Sequence, residues 1–379
     1  MLAPPIGILG TGSYVPKTEV TNSDLEKIID TSDEWIRQRT GIEKRRYSTE
    51  KENTYVMGAY AALQALADAR ISPEDVDEVI VATNSTGEFS IPNAAFIIQS
   101  LISAKNAGCH DVGAGCSGGI RAIESAVGSI YKMSLLDNKQ SPKVLVIATD
   151  TLSSVLNFED RSTCVLLADG AGALVLGTRP EPELLAVNTY AKGEGTIFYR
   201  SNLQTGIGLE TVSGIEHSNM QRRPFFNQDG QQVFKFASSA IEDVLRKASE
   251  QLGLDPRSFY HVFHQANERI LMYAAKRCGI PIENIYVEGI RTEGNTSAAS
   301  YLIGLDHAVR SRRINYGDIV ALTSVGAGLS WGTCIFRWGK TEEPRSADVS
   351  IDDIYAKYQE FVKTTEAIKE KTLSKSRPG

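Results

Sequence analysis

Apolar positions in the first half of the chain alternate between helical and extended spacing. ENTYVMGAYAALQALADA (52–69) repeats at helical spacing and predicts an amphipathic helix. VDEVIVATNS (76–85) follows as a strand and PNAAFIIQSLI (92–102) as a helix. Ahead of them, IGILGTGSYVP (6–16) reads as an opening strand closed by Gly, Ser and Pro. Asn22 or Ser23 is expected to cap a helix at SDLEKII, and Ser32 another at TSDEWIRQRTG. KVLVIATDTLS (143–153) is β-rich, and LLADGAGALVLG (166–177) reads as two short strands about an Asp-Gly turn.

Residues 178–225 lose this periodicity and read as strand and loop near a domain junction. QVFKFASSAIEDVLRKASEQLGL (232–254) is then a long helix, and the chain echoes its first half. FYHVFHQAN (259–267) stands like VDEVIVATN, and DIVALTSVGAGLSWGTCIFRW (318–338) like KVLVIATD followed by DGAGALVLG. Two βαβ-rich halves, 1–178 and 179–338, predict a layered α/β fold with parallel strands under helices. A charged extension, 339–379, contains SIDDIYAKYQEFVKTTEAIKEK, with a Ser350–Asp353 capping box. Its residues Ile351, Ile354, Tyr355, Tyr358, Phe361 and Val362 share one helical face, which predicts a single helix; a solvated tail is the alternative.

Composition narrows the classes. The 379 residues are 42% hydrophobic and 23% charged, with net charge −6, as expected of a soluble globular protein. No apolar run reaches membrane-span length, so no membrane association is expected. The N-terminus lacks the basic and apolar regions of a signal peptide. Five scattered cysteines form no CxxC pair and no histidine stands at metal spacing, so neither disulfides nor a metal is expected and a reducing cytoplasm fits best. Mild acidity argues against a nucleic-acid partner, and an acidic protein partner would need a local basic patch.

The chemistry concentrates in HDVGAGCSGGIRAIESA (110–126). A strand ends at Asp111 and Val112, GAG turns, and Cys116 opens a helix. Helix N–H groups and the helix dipole there favour thiolate over thiol, which predicts a nucleophile. A small buried cysteine is the alternative. The TGS triplet at 11–13 lacks the spacing of a phosphate loop.

Six motifs in order, namely GILGTGSYVPKTEVTNSDLEKIIDTSDEWIRQRTGIEKRR, DVGAGCSGG, DRSTCVLLADGAGA, FHQANERI, EGNTSAAS and GAGLSWGTCIFRW, resemble the β-ketoacyl-acyl-carrier-protein synthase III family from about residue 6 to 338. The resemblance implies a thiolase-like α-β-α-β-α fold, a homodimer, and a catalytic centre of Cys116, His264 and Asn295. Cys116 would take an acyl group from a coenzyme A thioester, with the backbone N–H groups of Cys116 and Gly326 as oxyanion hole. His264, neutral, and Asn295 would hold the thioester carbonyl of a malonyl group on acyl carrier protein while CO₂ leaves and the carbanion attacks. Trp35 and Arg161 would flank the adenine, Arg39 face the phosphates and Asn267 contact the pantetheine arm, with no permanently bound cofactor. Lys235, Arg269, Lys276 and Arg277 would form the carrier-protein docking patch. His110 and His261 match no catalytic position.

Four departures bear on the acyl pocket: Gly115, Gln231, Gly119 where an aromatic is common, and Ile91 where a Phe often narrows the pocket from across the dimer. Gly119 and Ile91 are expected to open volume for an acyl group larger than acetyl. An acyltransferase forming an ester or amide remains an alternative, as does a non-catalytic partner subunit; a silent subunit would be expected to lose its nucleophile.

Overall fold

The computed structural model describes residues 3–181, 183–200 and 225–375. Two sheets carry it. The first runs Ile6–Tyr14, Asp169–Thr178, Lys143–Thr151, Glu78–Ala82, Gly108–Val112 in spatial order; the second runs Tyr260–Phe263, Ile319–Gly326, Gly328–Arg337, Leu184–Glu194. Glu78–Ala82 is parallel to Lys143–Thr151, which is antiparallel to Asp169–Thr178, itself antiparallel to Ile6–Tyr14. Tyr260–Phe263, Ile319–Gly326, Gly328–Arg337 and Leu184–Glu194 repeat that sequence of directions. The fifth strand of the first sheet, Gly108–Val112, is parallel to Glu78–Ala82, and a single parallel bridge between His261 and Ile285 stands in the same relation to the second sheet. The halves are therefore structural repeats.

Both faces of each sheet are covered, which is why their strands read as continuous apolar runs. Helices Gly118–Leu135 and Ser300–Arg310 lie between the sheets, in one core with Ile80, Val146, Val262 and Leu322. Thr54–Ala69 and Ala94–Leu101 cover the outer face of the first sheet, while Gly230–Leu252 and Glu268–Cys278 cover that of the second. The result is a thiolase-like five-layer α/β fold. The helix Ile351–Lys375 adds to the first outer layer, burying Ile354 and Tyr358 there.

Two local expectations are corrected. Thr21, not Asn22 or Ser23, caps the first helix, which spans only Asn22–Leu25; the Asn22 amide instead donates to Asp33 and to the Ile42 carbonyl. LLADGAGALVLG holds one strand, Asp169–Thr178, because Leu166 and Ala168 turn aside to exchange backbone hydrogen bonds with Asn295.

Candidate active site

Cys116 sits in a single tight turn, Gly115–Ser117, between the strand Gly108–Val112 and the helix Gly118–Leu135. Gly115 has φ +56°, a conformation that favours glycine, and a Cβ on it would lie 3.0 Å from the Ala327 carbonyl. A Cβ on Gly326 would lie 2.7 Å from the Cys116 nitrogen. The Gly-rich turns of the two halves thus interlock, and Ser324 Oγ pins the Cys116 carbonyl at 2.9 Å. The hydrogen bond to the sulfur among the described residues comes from Ser297 Oγ at 3.5 Å, while the Ala327 and Cys116 amides pull its pKa down. Gly326, expected as the second oxyanion donor, makes close backbone contact with Cys116, with the Ala327 amide next to it.

Burial pushes the Cys116 thiol up to about 11, against the pull of the Ser297 hydroxyl and the two amides. Desolvation there opposes the thiolate that the helix terminus favours.

His264 follows the strand Tyr260–Phe263, and its amide bonds the Thr323 carbonyl at 2.7 Å. Burial pushes its imidazole down to about 3, so the ring is neutral near pH 7. Nδ1 lies 2.8 Å from Ser300 Oγ, which also accepts the Gln265 amide at 3.1 Å. That contact occupies Nδ1 and leaves Nε2 as the ring's other polar atom. The backbone of Asn295 is clamped by Leu166 and Ala168, and its Oδ1 accepts the Ser297 amide at 2.9 Å. That bond leaves the Asn295 Nδ2 hydrogens as its free donors. Cys116, His264 and Asn295, from both halves of the chain, line one cavity.

One wall of this cavity is apolar, made by Leu152, Val155, Leu167, Ile197 and Phe226. Gly119 is not part of it: a Cβ there would meet the Tyr301 hydroxyl at 2.6 Å, so the buried Tyr301 ring fills the space that Gly119 was expected to open. Ile91 is 86% exposed on a surface loop and does not line this chain's cavity.

The cavity opens into a mouth lined by Trp35, Arg39, Gln231, Lys235, Asn267 and Arg269. Arg161 and Arg39 lie over the Trp35 ring, 5.2 and 5.9 Å from its centroid. Asn267 caps the helix Glu268–Cys278 and donates to the Arg39 carbonyl at 3.0 Å, tying the two walls together. Lys276 and Arg277 lie at the far end of that helix, outside the mouth, and Arg277 is paired with Glu242 at 2.7 Å. They do not form one patch with Lys235 and Arg269. His110 lies at the surface beside Glu78, and the buried His261 ring bonds the Pro256 carbonyl.

Sequence reasoning missed Asn84, Ser297, Ser300 and Ala327. Ser297 and Ser300 lie in the EGNTSAAS motif and Ala327 in GAGLSWG, but Asn84, the polar end of a strand, carried no signal of its own. Among the described residues no group of His, Cys, Asp and Glu is placed to hold a metal ion, and no helix is long and apolar enough to cross a membrane.

A family model for 3-oxoacyl-[acyl-carrier-protein] synthase III matches residues 110–193, and one for the C-terminal part of that enzyme matches 249–338. The beta-ketoacyl-[acyl-carrier-protein] synthase III of Caldanaerobacter subterraneus subsp. tengcongensis is 39% identical over 335 residues, covering 88% of this chain and 98% of its own. The crystal structure of 3-oxoacyl-[acyl-carrier-protein] synthase III from Aquifex aeolicus is 37% identical with TM-score 0.76, covering 88% of this chain and all of its own. The priming β-ketosynthase of the R1128 polyketide pathway is 31% identical with TM-score 0.79, covering 91% of this chain and 99% of its own.

Proposed function

Because the chain belongs to the β-ketoacyl-acyl-carrier-protein synthase III family, we propose that it joins an acyl group from coenzyme A to a malonyl unit on acyl carrier protein. Cys116 attacks the thioester carbonyl, and the N–H groups of Cys116 and Ala327 hold the oxyanion. Coenzyme A leaves as its thiol, carrying the proton that Cys116 gives up, and an acyl-cysteine remains. With the thiol held near 11, deprotonation accompanies attack rather than preceding it.

In the second step His264 Nε2–H and Asn295 Nδ2–H donate to the carbonyl oxygen of the malonyl thioester. CO₂ departs, its bonding electrons form the enolate, and the carbanion attacks the acyl-cysteine, releasing the Cys116 thiolate and a β-ketoacyl thioester. The thiolate then takes up a proton. The observation that carries this reading is that Ser300 occupies His264 Nδ1 and the Ser297 amide occupies Asn295 Oδ1, so that Nε2 and Nδ2 are the remaining polar atoms of two side chains lining the same cavity as Cys116.

The apolar lining of the cavity supports an acyl group longer than acetyl. The mouth suits coenzyme A, with the adenine between Trp35 and Arg161, Arg39 facing the phosphates and Asn267 beside the pantetheine arm. Lys235 and Arg269, exposed at that mouth, are the docking residues for an acidic carrier protein. A homodimer is supported by Ile91 and Phe96, 86% and 50% exposed on adjoining segments. The unpaired cysteines suit a reducing cytoplasm.

Intact-protein mass measurement after incubation with a panel of acyl-CoAs, with Cys116→Ala as control, tests the reading. A gain of one acyl group, absent in the variant and greatest for donors longer than acetyl, is expected. No labelling by any acyl-CoA would overturn the donor assignment.

A further inference from the structure

A chain of hydrogen bonds reaches the sulfur of Cys116 through Ser297. Ser297 Oγ lies 3.5 Å from Cys116 Sγ and receives the Asn84 side-chain amide at 3.0 Å. The same Asn84 Nδ2 donates to Asp150 Oδ2 at 3.1 Å, and the Asn84 backbone amide to Asp150 Oδ1 at 2.6 Å. Asp150 is fully buried in the strand Lys143–Thr151 and further held by Thr83 Oγ1 and by the Ser85 amide and hydroxyl. Three segments distant in the chain therefore converge on Cys116.

Two features show that this is more than incidental packing. Ser297 adopts φ +51°, a left-handed conformation that costs a non-glycine residue about 1 kcal/mol or more and persists only where its surroundings impose it. That conformation is held by the Asn295 side chain, which accepts the Ser297 amide. Asn84, in turn, lines the cavity, and both its side-chain hydrogens are used, one toward a buried carboxylate and one toward the serine.

We propose that Asn84 is a positioning residue that, anchored on Asp150, fills the acceptor site of the Ser297 hydroxyl and so directs its proton onto the Cys116 sulfur. Ser297 touches the reacting atom; Asn84 acts through it. The hydroxyl supplies a hydrogen bond that strengthens as the sulfur becomes anionic, both when the thiol attacks and when it leaves the β-ketoacyl product. This compensates in part for the burial that disfavours the thiolate. Asp150 opposes it as a buried carboxyl close to the sulfur, held by Asn84 and itself within reach of the Ser297 hydroxyl. The titratable groups around Cys116 are Asp150 from its strand, Tyr301 from the central helix and His264 from the opposite half.

The role does not depend on which acyl donor is used, so the test avoids substrate. Alkylation of Cys116 by iodoacetamide, followed at the Cys116 peptide between pH 7 and 10, reads the sulfur directly. Ser297→Ala is expected to slow alkylation about tenfold at pH 8 and move the profile toward higher pH, the effect of one lost hydrogen bond to a developing anion. Asn84→Ala should do the same in the wild-type background and nothing further in Ser297→Ala. Asn84→Ser, too short to reach Ser297 yet able to donate to Asp150, repeats the test should the alanine variant fold poorly. Equal slowing by Asn84 substitution in both backgrounds, or none in either, would overturn the proposal. The acyl-CoA assignment stands or falls separately, on labelling.

Discussion

At the scale of single residues, the centre works through groups whose charge is suppressed by burial. His264 and His261 are pushed down to about 3 and about 4, while an unfolded histidine titrates near 6.5. The unfolded chain then binds more protons than the folded one in that window, so each histidine makes stability fall as pH drops below 6.5, by up to about 1.4 kcal/mol per pH unit. Buried Asp150 and Glu293, pushed up, act with the opposite sign. Replacing His264 by Gln isolates its share: urea unfolding at pH 6.5 and 5.0 is expected to show a smaller stability loss in the variant. An unchanged slope would mean the ring is protonated in the fold. Acylation of the wild type, in turn, should gain rate into the alkaline range with no inflection near 6.5. At Gly119 the argument is steric. Gly119→Phe should destabilise the protein by about 1–3 kcal/mol through collision with Tyr301, and Tyr301→Ala should recover much of that in the double variant. Thermal melts of the three variants read this. Cys116, His264 and Asn295 were legible in sequence because each sits in a recognisable motif. Ala327, next to the expected Gly326, carried no signal, because which amides of a Gly-rich turn come near the sulfur is set by the turn's path and not by its letters.

At the scale of elements, strands and helices with a single strong period were readable, and segments whose partner is remote were not. Leu166 to Ala168 read as strand, yet their backbone serves Asn295, a pairing across more than a hundred residues that no local pattern encodes. The tail shows the same limit. Its apolar face announced a helix, but the surface it covers appears only in three dimensions: Tyr358 stacks near Tyr55 and donates to Glu88 at 2.7 Å, and Phe361 meets Phe89 edge-on. These contacts secure residues 86–89, immediately after the cavity residue Asn84, whose turn is also held by the Tyr55 hydroxyl. Upstream, Lys340 is buried against Asp68 at 2.6 Å. Lys340→Ala leaves an uncompensated buried carboxylate and should cost about 3–5 kcal/mol in denaturant unfolding. Lys340→Ala together with Asp68→Ala should cost less than the single change; an equal or greater loss would assign the effect to packing.

At the scale of the whole molecule, the duplicated halves explain why one site needs both. The proposed nucleophile Cys116 comes from the end of the first sheet, its proposed partner His264 from the end of the second, and Asn295 from the entry to the central helix Ser300–Arg310. The only basic side chains proposed here for carrier docking are those at the mouth. Lys235→Glu with Arg269→Glu should raise KM for malonyl carrier protein about tenfold or more and leave acyl-CoA labelling nearly unchanged, whereas Lys276→Glu should leave both near wild type. Cys116 is proposed to carry the acyl group while the His264–Asn295 pair drives decarboxylation. Pre-acylating the enzyme, adding malonyl carrier protein, and following the cysteine label and CO₂ in a single turnover separates the two roles. The wild type should lose its label with one CO₂ per acyl group, while His264→Ala and Asn295→Ala acylate normally and keep the label. Clearance in those variants at the wild-type rate, or clearance by the wild type without CO₂, would contradict that assignment.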